Sequence, residues 1–142
     1  MIDIEGVVYT TVHDAIRAEY PTCSISDDVP PEKTAVFPHV TIKEDSNRTY
    51  QRTQDNALTE HHAIVVYEIS VYSNRQTGRK AECKAIMNIA DLAMQNMKFT
   101  RVQKHELPTL DRTIMRMYAR YEAVVEEPEN IDGQNVFQMY RR

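Results

Sequence analysis

His39 and Thr41, two residues apart in FPHVTIKED, are the one pair in this chain whose types and spacing suggest acid–base chemistry. On a strand both side chains face the same way, and histidine titrates near neutrality. Phosphoester cleavage by such elements needs two of them, one histidine as base and the other as acid. The sequence holds no second His-x-Ser or His-x-Thr. A small phosphoesterase using His39 and Thr41 is thus the enzyme alternative, and the sequence supplies half of it.

The other chemical candidates are weaker. His61 and His62 are adjacent, so on a strand they point to opposite faces and cannot share one ion. His105, followed by Glu106, lacks a partner at ligand spacing, and His13 falls inside a helical pattern. The three glycines, at 6, 78 and 133, cannot build a phosphate-binding loop. The acid pairs Asp27–Asp28 and Glu126–Glu127 fall in polar, solvated stretches where nothing would raise a carboxyl pKa. Cys23 and Cys83 are far apart in sequence and read as small apolar side chains. The expectation is no catalytic residue, no cofactor and no metal.

A chain of 142 residues with 42% hydrophobic and 27% charged residues fits one domain with a core of its own. The formal net charge of −4 argues against a general nucleic-acid binder, which needs a basic face. The longest apolar run, Ala63 to Tyr67, is far too short to cross a bilayer. MIDIEGVVY lacks the basic n-region of a signal peptide, so a soluble chain folded in a cytoplasm and without membrane partners is expected.

The elements follow from periodicity. Ile4, Val8, Val12, Ile16 and Tyr20 recur every four residues after Asp3, a candidate N-cap, and predict a helix over 4–20 that ends before Pro21. The stretch from Thr22 to Lys33 reads as loop, with room for a short strand at Cys23 to Ser26. Phe37 to Asp45 and His62 to Ser73 alternate as strands. Between them Ser46 to Glu60 is polar, a connection far longer than a hairpin needs. Cys83, Ile86, Ala90, Ala93 and Met97 predict a second helix after the NRQTG turn. Phe99 to His105 and Arg112 to Val125 complete the set as strands, with Pro108 in the turn between them.

This order, α-β-β-α-β-β, predicts an α+β fold: a mostly antiparallel sheet of four to five strands with two helices on one face. Residues 1–125 form the domain, and 126–142 form a tail whose Val136, Phe137, Met139 and Tyr140 suggest docking, on this domain or on a neighbour. Met115, Met117, Ala119, Tyr121 and Ala123 make a bed for the helices, while Arg116, Tyr118, Arg120, Glu122 and Val124 face the other way. A one-sided sheet would alternate more cleanly. Arginine and tyrosine are enriched at protein interfaces, so the mixed face reads as a subunit contact.

Four segments taken in order resemble one family: FPHVTIKEDSN (37–47), EHHAIVVYEISVYSN (60–74), GRKAECKAIMNIADLAMQNMKFTR (78–101) and RTIMRMYARYEAVV (112–125). They are similar to the tail terminator proteins of long-tailed bacteriophages, also labelled tail-completion or minor capsid proteins. One departure stands out: the family often has glycine before the phenylalanine that follows the second helix, and here Lys98 precedes Phe99.

The resemblance implies a ring, typically of six copies, that caps the tail tube at the neck of the virion. Capping stops tube growth and presents a surface to the head-side connector or stopper, and genome DNA passes through without sequence-specific binding. The expected partners are further copies of the chain, the tube protein and the connector. Expected contact residues are Arg48, Tyr50 and Arg52 on the polar connection, taken as an arm ordered by a partner, Arg116, Tyr118 and Arg120 on the mixed face, and Phe137 and Tyr140 on the tail. The rival readings are another neck component (stopper or adaptor), the phosphoesterase, and a stand-alone peptide-binding module using exposed strand edges.

Overall fold

A computed structural model describes residues 1–27, 36–49, 62–109, 111–126, 129–131 and 134–141. Helix α1 spans Glu5–Glu19 and buries Val8, Val12 and Ile16, the four-residue stripe read from the sequence. Its N-cap is Ile4, one residue later than expected, and that residue makes no side-chain cap. Asp3 still serves the helix start, because its Oδ1 accepts the Glu5 N–H at 3.1 Å. At the far end Tyr20 N–H donates to Ile16 O at 2.8 Å, and Pro21 follows.

Five strands run in the spatial order β1-β2-β3-β5-β4, where β1 is Ser24–Ser26, β2 His39–Thr49, β3 His62–Ser73, β4 Thr100–Leu107 and β5 Met115–Glu126. β1 pairs parallel to β2, and the other pairs along this path are antiparallel. Helix α2, Arg79–Asn96, packs beside α1 on the same face of the sheet. Between them lies the core: inward residues of β3 and β5, such as Val65, Ile69, Ala119 and Ala123, meet Val12 and Ile16 of α1 and Ile86 and Ala90 of α2. Two buried tyrosines keep polar handles. Tyr67 OH donates to Glu44 Oε1 at 3.0 Å, and Tyr121 OH to Asp91 Oδ1 at 2.7 Å. Asp91 also accepts from Gln95 and Arg101, which ties α2 to both β4 and β5.

Three features correct or narrow the sequence reading. First, β2 continues to Thr49, so Ser46, Asn47, Arg48 and Thr49 pair with β3 and are not part of a loop. The strand passes a register shift between Glu44 and Ser46, which leaves Asp45 as a bulge. Asn47 faces the helices and is satisfied there, its Nδ2 donating to Ile2 O at 2.7 Å. The remainder of the polar connection, with Tyr50 and Arg52, lies outside the described residues.

Second, the tail folds back on its own sheet. Strands β6 (Glu129–Ile131) and β7 (Gln134–Val136) pair with each other, and β8 (Met139–Tyr140) pairs with β5 at Val124 and Val125. Phe137 and Met139 pack against the domain's own core.

Third, Phe99 belongs to the end of α2 and not to β4. Lys98 N–H donates to Gln95 O at 2.9 Å and Phe99 N–H to Met94 O at 3.0 Å, with Lys98 at φ 72°. These are the bonds of a Schellman motif, and buried Met94 and Phe99 supply its apolar clasp. A lysine in the left-handed region is strained by about 1–2 kcal/mol, and glycine is not. Lys98→Gly is therefore expected to raise stability by about 1 kcal/mol, after the entropy glycine returns to the unfolded chain. A urea-midpoint comparison checks it, and an unchanged or lower midpoint would contradict the assignment.

Candidate interface on the helix-free face of the sheet

Both helices use one face of the sheet, and no described helix packs on the other. Strand register decides which side chains share that second face. His39, Tyr72 and Arg116 form one row across β2, β3 and β5. Thr41, Ser70, Tyr118 and His105 form the next, and Lys43, Glu68, Arg120 and Gln103 the third. Further along, Arg48, Ile64, Val124 and Tyr140 line up from β2 to β8.

Of the expected contact residues, Arg48, Arg116, Tyr118, Arg120 and Tyr140 are thus brought to one face. Arg48 stands on a paired strand and not on a free arm. Phe137 is turned toward the core, half-buried. Tyr50 and Arg52 lie outside the described residues.

The rows are knitted by cross-strand contacts. Glu68 Oε1 accepts from Tyr118 OH at 2.7 Å and from Arg120 Nη1 at 3.1 Å, and Arg120 Nη1 also meets Asp45 Oδ2 at 3.0 Å. Burial first, and then the bond to Glu68, push the Tyr118 hydroxyl above its ordinary pKa. Arg116 lies with its guanidinium carbon 5.4 Å from the Tyr72 ring centre and donates twice to Ser70 Oγ, at 3.3 and 3.1 Å. Among the described residues Arg116 has no carboxylate partner. Ile64, Val66, Tyr72 and Tyr118 project from this face and are each under one-tenth exposed. Arg116 held flat over Tyr72, with Arg120 beyond it, suits a contact with another protein, while Ile64 and Val66 are already covered within the chain.

Sequence reasoning missed the pairing of His39 with Tyr72, because nothing in either strand reveals their mutual register. His39 is 4% exposed, shares a hydrogen bond with Ser26 Oγ at 3.0 Å through Nε2, and has Tyr72 as its ring neighbour. Its Nδ1 and the Tyr72 hydroxyl are buried without a hydrogen-bond partner among the described residues. Among those residues no group of histidine, cysteine or acid side chains could hold a metal ion. Cys23 and Cys83 are both buried free thiols, and burial pushes their pKa values up to about 11 and about 12.

Burial lowers the imidazole pKa of His39 from 6.5. The unfolded chain then takes up the proton first as pH falls, so this residue's contribution to stability is full above about 6.5 and is lost below it. Glu44 has the opposite sign, since burial first raises its carboxyl, and its window opens from 4.5 upward. The His39 contribution is expected to fall between pH 7 and pH 5.5, so His39→Gln should remove that loss and change the slope of stability over the range. Urea melts at the two pH values decide; equal slopes for both chains would remove His39 from the account.

No protein-family model matches the chain, and no curated protein matches it. Among solved structures it is similar to a chain of the virion of a native gene transfer agent particle. That likeness has a TM-score of 0.53 at 17% identity and covers 84% of this chain and 91% of the other. At such identity the likeness is one of fold: an α+β domain with two helices on one face of a mostly antiparallel sheet.

Proposed function

We propose that this chain is a structural subunit of a tailed, phage-like virion, and specifically a tail terminator. The observation that carries the reading is the shared fold with a virion component along nearly the whole length of both chains. The segment order from Phe37 to Val125 points the same way, as does a helix-free sheet face carrying Arg116, Tyr118 and Arg120. Six copies in a closed ring would cap the tail tube, stop its polymerisation and offer the ring's far side to the head-side connector. The net charge of −4 would ease the passage of DNA through the ring.

The test is to polymerise the tube protein of the same particle with and without this chain, and to view the tubes by negative-stain electron microscopy. A terminator leaves shorter tubes bearing a ring at one end. Tubes of unchanged length with bare ends would refute the reading, and binding to the connector alone would make the chain a stopper or adaptor.

A further inference from the structure

In a chain of net charge −4, the two edges of the sheet carry opposite charge. At the β1 edge a hollow of about 520 Å3 is lined by Asp3, Glu5 and Asp27 beside Tyr9 and Ile25, with no lysine or arginine among the described residues that line it. On the β4 side, around the turn from the end of β4 into β5, a hollow of about 500 Å3 is lined by Arg79, Arg112 and Arg116, with Leu107 and Ile114. Glu106, the acid in that lining, already meets Lys80 Nζ at 3.1 Å. Asp111 on the neighbouring turn is engaged by the amide and hydroxyl of Thr113.

Among the described residues neither set of charges is paired with its opposite. Arg79 donates to the Arg75 carbonyl and Arg116 to the Ser70 hydroxyl, and among the described residues no carboxylate pairs with Arg79, Arg112 or Arg116. On the other edge Asp3 accepts, among the described residues, a backbone N–H from Glu5. The crowding of acids there is felt by Glu44, whose carboxyl is raised by burial and then by Glu5 and Asp3.

We infer that the acid-lined β1 edge of one copy docks against the arginine-lined β4 side of the next. This rests on the ring reading and names the contact that closes the ring. β1 and β4 end the strand order on opposite sides, so the contact joins different surfaces of two copies. Such a head-to-tail contact repeats until it closes on itself. Guanidinium groups pair with carboxylates in a fixed, often bidentate geometry, and opposite potentials also steer the encounter.

Charge reversal tests it. The double variant Arg79→Glu/Arg112→Glu carries acids on both edges, and Glu5→Lys/Asp27→Lys carries cations on both. All four side chains are exposed or half-exposed, so both variants should keep the wild-type circular dichroism. By native mass spectrometry each alone is expected to self-associate at least ~100-fold more weakly than wild type, because like charges now meet. Mixed in equal amounts they should rebuild a ring of alternating copies, and added salt should weaken the wild-type ring. Wild-type assembly by either variant alone, or no assembly in the mixture of folded variants, would overturn the contact while leaving the ring reading standing. A wild-type chain that stays monomeric, alone and with tube protein, would overturn both.

Discussion

Phe99→Ala is expected to remove about 3–5 kcal/mol of folding stability, the range for truncating a buried aromatic ring. Phe99 is fully buried at the point where α2 hands over to β4. Its ring meets Tyr67 edge-on, with centroids 5.6 Å apart and planes at 87°. It also clasps Met94 across the end of the helix, so the loss opens a cavity and loosens the turn that sets the β4 register. A domain of this kind holds roughly 5–15 kcal/mol in all, so the variant would sit near the edge of folding. Urea denaturation followed by circular dichroism measures the difference. A cost under about 1 kcal/mol would mean that the ring does not fill the core as described.

The second large effect concerns assembly. Arg116→Ala and Tyr118→Ala are each expected to weaken incorporation into the virion-like assembly by ~30-fold or more, the scale of an interface hot spot of about 2 kcal/mol. Arg116 is pre-oriented by Tyr72 and Ser70 and has no carboxylate partner among the described residues. Tyr118 is held by Glu68 with its ring against His105. Tyr118→Phe separates packing from hydrogen bonding, because it keeps the ring and removes one of the two bonds to Glu68. Sedimentation of folded variants against wild type reads the effect. Unchanged assembly by both alanine variants would take the helix-free face out of the interface.

How far the sequence reached depended on whether the deciding forces were local. The stripe Val8, Val12 and Ile16 and the period of two along β3 and β5 are local patterns, and the structure has those elements there, although β5 starts at Met115 and not at Arg112, and β3 is buried on both faces. The end of β2 was not legible, because Ser46 to Thr49 are polar and their strand is held by β3 and by a bond from Asn47 to the distant Ile2 carbonyl. Lys98 hid the end of α2, since a lysine gives no sign that the backbone will turn left-handed. Which side of β5 faces away from the helices was readable from its period of two. That Arg48 and Tyr140 join Arg116, Tyr118 and Arg120 on that side was not, because register between strands is a property of the folded sheet.

The proposed closure into a ring is tested most directly by the native mass of the chain across a wide concentration range, alone and with tube protein. One discrete closed species of six copies is expected. A chain that remains monomeric under both conditions, or that grows into open-ended chains without closing, would contradict it.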